Sequence, residues 1–356
     1  MVDSDLFTGS DVTDQSRYQK QMLFAGVGKT GQALLAQKRV LLTGCGALGC
    51  VLADAMARAG VGHLRIVDRD FVELSNLQRQ ILFTEQDVKD HLPKAVCAQR
   101  RLRQVNSQIE IDAIVADVDY TNVREFADGC DLILDGTDNF EIRYLLNDVA
   151  LELGIPWIFT GCTGSNGQMM PILPGDSACL RCLMPSPPPP GSTETCDTAG
   201  VLGPAINVIA SLQASVALKI LTEQTESIET CLTVVDVWEN SHRKMDVSKL
   251  RETSNCPACL NGERLWLKGT QSSGSSIMCG RNAVQVTPAE KTSLSLEELA
   301  VRLELAGTVT SNPFLVRVAV KDSDLQLTVF PDGRAIIKGT EDPAVARSVY
   351  SRYIGS

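Results

Sequence analysis

The chain has 356 residues, 44% of them hydrophobic and 21% charged, a composition ordinary for a soluble globular protein and long enough for one large domain plus a smaller one. A net charge of −10 argues against a nucleic-acid surface, which needs clustered Lys and Arg, and against a polybasic membrane patch. The acidic opening MVDSDLFTGSDVTD lacks the apolar core of a signal peptide. No run of about 18 apolar residues stands out, so no membrane-spanning helix is expected. Twelve cysteines without an export signal are expected to be reduced thiols in a cytoplasmic protein.

Residues 16–38 predict helical segments around a glycine-containing loop. A short apolar strand comes next at 39–43, then VLLTGCGALG breaks into glycines at Gly44, Gly46 and Gly49. A helix of small residues is expected over 49–60 and a strand over 63–68, which completes a βαβ unit. Helix VCAQRRLRQV, strand IEIDAIVAD, strand 130–138, helix NFEIRYLLNDVALELG and strand PWIFTGC come next. This alternation predicts a Rossmann-like, doubly wound, mostly parallel α/β sheet. Residues 184–192, MPSPPPPGS, exclude helix and inner strand and read as a stiff loop. A long apolar helix is expected over 200–221 and a strand over 231–238. Residues 268–276 have linker composition. The sequence thus divides into a domain at 1–267, a linker at 268–276, and a small α+β module at 277–356 with two helices and two or three strands.

The glycine loop comes after a strand and opens a helix, so its backbone can approach a diphosphate at the helix N-terminus. Asp68 ends the second strand, where a ribose-binding carboxylate belongs. Gly28-Lys29-Thr30 is a decoy for a phosphate loop: Leu23 stands where the pattern needs glycine, and no strand precedes it. The segment that begins at Asp68 separates NAD from ATP. In DRDFVELSNLQRQ, Asn76 and Arg79 can reach phosphates, the guanidinium in bidentate fashion. Lys94 adds a point charge. Asp138, at the end of a strand, can offer oxygens to Mg²⁺. These groups suit a triphosphate with a metal better than a dinucleotide oxidoreductase; taken singly, each also fits a solvated charged face.

Cys179-x-x-Cys182 and Cys256-x-x-Cys259 are two knuckles whose four thiolates satisfy a tetrahedral, structural Zn²⁺. Cys196 lies just after the proline loop and before a helix start, a setting that lowers a thiol pKa and favours a nucleophile. Cys279 opens the C-terminal module and is a weaker candidate for sulfur handling. The remaining cysteines lie among apolar residues and read as core.

Together RYQKQ (17–21), GCGALG, DRDFVELSNLQRQ (68–80), LDGTDN (134–139), CLRC (179–182) and TCDTAGVLGP (195–204) resemble the ThiF/MoeB/HesA adenylyltransferases, which are similar to the adenylation domain of ubiquitin-activating enzymes. The resemblance spans residues 16–245. It implies ATP-dependent adenylation of the C-terminal glycine of a β-grasp, ubiquitin-like or sulfur-carrier protein ending in Gly-Gly, with release of pyrophosphate. Molybdopterin and thiamin biosynthesis are among the pathways that use this chemistry. The implied nucleotide-binding set is Gly44, Gly46, Ala47, Gly49, Asp68, Ser75, Asn76, Leu77, Gln78, Arg79, Lys94, Asp138 and Asn139. Ala47 stands where relatives often have glycine. By the same resemblance Arg17 reaches across a homodimer into the partner's site, and Cys196 takes the acyl group as a thioester or transfers sulfur. Members that only adenylate dispense with that cysteine. Some relatives carry a C-terminal rhodanese domain; the tail here is too short for one, and a docking module is expected instead.

Overall fold

The structure is a computed structural model and describes residues 16–188, 196–270, 275–278, 282–288, 293–321 and 323–355. Two sheets organise it. The first has eight strands: β1 (Arg39–Thr43), β2 (His63–Val67), β3 (Glu110–Ile114), β4 (Leu132–Asp135), β5 (Trp157–Thr163), β6 (Asn166–Ile172), β7 (Cys231–Asp236) and β8 (Ser241–Asp246), in the order β3-β2-β1-β4-β5-β6-β7-β8. The strands from β3 to β5 pair in parallel, and those from β5 to β8 pair antiparallel. The expected doubly wound, mostly parallel sheet is therefore present, with an antiparallel extension.

The apolar runs of β1 and β4 are buried on both sides, as parallel strands covered by helices must be. Leu42 joins Leu52, Met56 and Ile209 in the core on one face, and Leu41 joins Tyr144, Trp157 and Phe159 on the other. The first face is covered by helices Ala47–Ala59 and Gly203–Leu221, the second by helix Phe140–Leu153. Truncating the fully buried Leu52 to Ala is expected to cost about 2–5 kcal/mol.

Helix Gly203–Leu221 is, by length and composition, apolar enough to cross a membrane, against the expectation that no such run exists. Its residues Ala205, Ile206, Ile209, Ala210 and Leu221 are instead buried in the core of the first sheet. Strands β6 and β8 are also additions to the expected elements. The β8 run SHRKMD lacks an apolar alternation because it is an exposed edge, and β6 contains Gly167 and Pro171.

The second sheet holds β9 (Ser275–Met278), β10 (Ala283–Val286), β11 (Gly307–Asn312), β12 (Leu315–Val320), β13 (Gln326–Val329) and β14 (Ala335–Lys338), all antiparallel, in the order β11-β12-β13-β14-β10-β9. Six strands thus stand where two or three were expected, and β9 starts inside the span expected as linker. Alternation sorts the side chains. Val284, Val316, Val318, Leu327, Val329 and Ile337 pack under helices Leu296–Leu303 and Pro343–Tyr353. The opposite face carries Ala283, Leu315, Phe330 and Ile336, which pack with Phe71 from the loop after β2. That contact is polar as well. Asn312 Nδ2 donates to the His91 carbonyl at 2.9 Å, and Gln285 Nε2 donates to Asp117 Oδ2 at 2.6 Å.

Candidate functional site

The carboxyl ends of β1 and β4 are neighbours, with Thr43 opposite Asp135. The strand order reverses here, so a crevice opens between the two loops, the usual ligand site of an open α/β sheet. Gly44 leaves β1 with φ +82, in the left-handed region, and a Cβ there would lie 2.8 Å from the Gly136 carbonyl oxygen. A Cβ on Gly49 would lie 2.1 Å from the Gly44 oxygen. Both positions need glycine because the two loops and the helix start touch through backbone. Ala47 is the first residue of helix Ala47–Ala59 and is partly exposed, so a methyl group is accommodated.

Asp68 comes directly after β2 and is 8% exposed. Its carboxylate accepts the Cys45 N–H at 2.6 Å and the Asp70 N–H at 2.7 Å, which fixes it against the glycine loop. Burial pushes this carboxyl up, while Lys94 beside it pulls it back down. Lys94 is the first residue of helix Lys94–Val105 and is 3% exposed, with Nζ 3.2 Å from Asp70 Oδ2. A β-bridge between Phe71 and Pro93 holds these two stretches together.

Residues Leu74–Asn76 form a 3₁₀ turn. Asn76 is buried, and its Oδ1 accepts the Glu73 N–H at 3.0 Å. Arg79 Nη1 donates to the Ser75 carbonyl at 2.9 Å, and its guanidinium makes no ion pair among the described residues. Ser75 and Gln78 are exposed, and Leu77 packs on the core. The buried glutamine of this run is Gln80, whose Nε2 would lie 3.9 Å from a Cβ on Gly46. Gln78, the glutamine the resemblance implies, faces solvent, and the spacing of the two glutamines does not tell which one is buried.

Asp138 is exposed on the loop after β4, close enough to Arg69 to act on it electrostatically. Asn139 caps helix Phe140–Leu153 by accepting the Glu141 N–H at 2.8 Å. The loop is shaped by the buried pair Asp135 and Arg143. Asp135 Oδ2 accepts from Arg143 Nε at 3.0 Å, and Asp135 Oδ1 accepts the Thr137 N–H at 2.9 Å. Arg143 Nη2 donates to the carbonyls of Thr137 and Thr160 at 2.7 and 2.8 Å. The guanidinium lies 5.3 and 5.4 Å from the Phe140 and Phe159 ring centroids.

The glycine loop, Asp68, Lys94, Asn76, Arg79 and Asp138 thus share one edge of the sheet. Cys196 opens the short helix Cys196–Ala199; its side chain lies outside what is described, as does Cys279 altogether. The next segment is tied to the same edge, because Gly164, just past β5, donates its N–H to the Gly200 carbonyl at 2.9 Å and accepts that of Leu202 at 2.8 Å. Arg17 lies elsewhere. Its Nη1 donates to the Val105 carbonyl at 2.7 Å, at the far end of the helix that Lys94 starts, about 17 Å away at 1.5 Å per residue. Within one chain it does not join the site.

The two cysteine knuckles meet. Sγ–Sγ distances are 3.6 Å for Cys179–Cys256, 3.9 Å for Cys179–Cys182 and 3.4 Å for Cys182–Cys259, and all four sulfurs lie within 4.8 Å of one another. A tetrahedron with Zn–S bonds of about 2.3 Å has edges of about 3.8 Å, so the cluster fits zinc. A cavity of about 560 Å³ is lined by Asn76, Arg79 and Lys94, and its far wall comes from the second sheet.

Comparison with known proteins agrees with this geometry. The ThiF family profile matches residues 18–258. The chain belongs to the ThiF family. Among curated relatives, the sulfur carrier protein ThiS adenylyltransferase of Bacillus subtilis is 41% identical over 340 residues, covering 95% of this chain and 99% of that one. The protein of the same description from Escherichia coli is 36% identical and covers 69% of this chain and 95% of its own length. A crystal structure of E. coli MccB with ATP superposes with a TM-score of 0.58 at 23% identity, covering 68% of this chain and 73% of that one, which speaks for the fold alone. As a ThiF-family member the protein is an adenylyltransferase, and ATP is its nucleotide.

Proposed function

We propose that this ThiF-family protein adenylates the C-terminal glycine of a small β-grasp sulfur-carrier protein ending in Gly-Gly. The observation that carries the reading is the 41% identity to a ThiS adenylyltransferase through 340 residues, a span that takes in the C-terminal module. In this reading the ribose of ATP sits on Asp68 and the phosphates lie over the glycine loop. A carboxylate oxygen of the carrier attacks the α-phosphorus. The bond from that phosphorus to the bridging oxygen breaks, and pyrophosphate leaves with the electron pair. Asn76, Arg79 and Lys94 offset the charge that builds on the departing phosphates. The exposed Asp138 carboxylate would hold Mg²⁺, which would offset phosphate charge. Zn²⁺ on the four cysteines ties the segment around residues 256–259 to that around 179–182 as a structural centre.

Arg17 works in trans in a homodimer; its distance from Lys94 in one chain supports this. The Cys196 thiolate then attacks the acyl carbon of the acyl-adenylate, forming a thioester as the bond to AMP breaks and AMP leaves; its segment is anchored on the same sheet edge as the glycine loop. Pyrophosphate exchange into ATP tests the main step. Exchange that requires a Gly-Gly carrier supports it; tight NAD binding with no carrier-dependent exchange contradicts it. Cys196→Ala should keep exchange and lose any carrier adduct released by reductant, and an adduct surviving in that variant refutes the thiol step.

A further inference from the structure

The cavity beside the nucleotide site combines residues from the layers of both sheets. Arg79 and Lys94 come from the first, Arg317 and Lys338 from β12 and β14 of the second. Asp70 and Glu73 are its carboxylates. Four cations therefore face two anions, in a chain whose net charge is −10. Asp70 is engaged with Lys94 at 3.2 Å. An electropositive chamber in an acidic protein favours anions.

Arg317 is the distinctive member. Its Nη1 lies 3.2 Å from His91 Nδ1, and since a guanidinium only donates, that ring nitrogen accepts. Nε donates to Thr328 Oγ1 at 3.4 Å, and the guanidinium stacks 4.3 Å from the Phe71 ring centroid. Nη2 is buried without a hydrogen-bond partner. Glu73 on the same cavity wall acts on the half-buried guanidinium from a distance, but a buried N–H group left without a hydrogen bond is costly, and an anionic ligand would bond it. Three groups fix its orientation, so it is prepared for a ligand.

We infer that this chamber is a pyrophosphate subsite, in which Arg317 and Lys338 of the C-terminal module grip the β- and γ-phosphates from the side opposite Arg79 and Lys94 and hold the leaving pyrophosphate. Asn76, Arg79 and Lys94 line the chamber whereas the glycine loop, Asp68 and Asp138 do not, so those three residues are its link to the nucleotide site. The C-terminal module thereby becomes part of the catalytic unit. This rests on the assignment of Asn76, Arg79 and Lys94 to the phosphates, and the test separates the two ideas.

Pyrophosphate alone is titrated by calorimetry into the full chain without ATP or carrier. Arg317→Gln should weaken binding about tenfold or more, the loss expected for one charge-assisted contact, with partial rescue in Arg317→Lys. Lys338 is exposed, so Lys338→Met tests the same wall with little risk to folding and should weaken binding severalfold. In carrier adenylation, product inhibition by pyrophosphate should weaken in parallel while KM for the carrier holds. Unchanged pyrophosphate affinity in folded Arg317→Gln and Lys338→Met overturns the inference, as does a raised KM for the carrier alone, which would make the face a docking surface. Arg79→Ala reports the underlying assignment separately. If it adenylates normally the nucleotide reading fails, whatever Arg317 does.

Discussion

Arg143 donates through Nε to Asp135 Oδ2 over 3.0 Å at the place where β4 ends and the Asp138 loop begins. Both side chains are almost wholly buried. The arginine also holds two backbone carbonyls, one of them on Thr137, the residue before Asp138. Arg143→Met removes one partner and leaves a buried carboxylate, so a loss of about 3–5 kcal/mol is expected. Denaturant unfolding measures that loss. Carrier-dependent exchange should fall further than in a control core variant of equal stability, because the loop that carries Asp138 loses its support.

The crossing of the two loops gives a second prediction. A methyl group at Gly49 would meet the Gly44 carbonyl at 2.1 Å, and backbone cannot yield as a side chain can. Gly49→Ala should cost about 1–3 kcal/mol of stability and abolish most ATP binding, read by calorimetry. Ala47→Gly should leave ATP binding within about twofold, since that helix position accepts either residue.

Metal content is the third. Purified protein should hold one zinc per chain by elemental analysis. Strong chelation should lower the unfolding temperature, and Cys256→Ser should do the same, because the cluster joins segments that are far apart in the chain, Cys182 to Cys256. Full stability after complete metal removal would contradict a structural centre.

Asp148 gives a pH dependence. Its carboxylate accepts the N–H groups of Trp266 and Leu267 at 3.0 and 3.4 Å, and burial pushes its pKa up to about 6 from 3.8. A raised carboxylate favours folding in its protonated form. Its contribution is complete below pH 3.8 and is lost as pH rises through about 6. Relative to Asp148→Asn, which does not titrate, the natural protein should lose up to about 3 kcal/mol between about pH 4 and pH 7. Denaturant unfolding of both at the two pH values measures the gap. A constant difference would mean that the carboxylate is not desolvated.

Features encoded by short spacing are legible in the sequence. The glycine loop, Asp68, the run with Asn76 and Arg79, and the two knuckles can each be picked out from neighbouring residues alone, and the structure gathers the first three on one sheet edge and the cysteines in one cluster. The features that escape such reading depend on remote partners. Arg143 reads as a surface arginine of an amphipathic helix until Asp135, Thr137 and Thr160 surround it. Arg317 alternates out of the valine face of β12, and an outward arginine normally meets water; here it meets Phe71 and His91, far earlier in the chain. β8 escapes because an exposed edge strand carries no apolar pattern.

The central claim is transfer of AMP to a carrier's terminal glycine. The most direct measurement incubates the full-length protein, a Gly-Gly carrier and ATP labelled at the α-phosphate, then analyses the carrier by mass spectrometry and radiography. The carrier should bear one labelled AMP on its C-terminal carboxylate, and the label should be absent when the terminal glycine is removed and absent with Arg79→Ala. No labelled carrier from any Gly-Gly protein, with ATP left intact or merely hydrolysed, would contradict it.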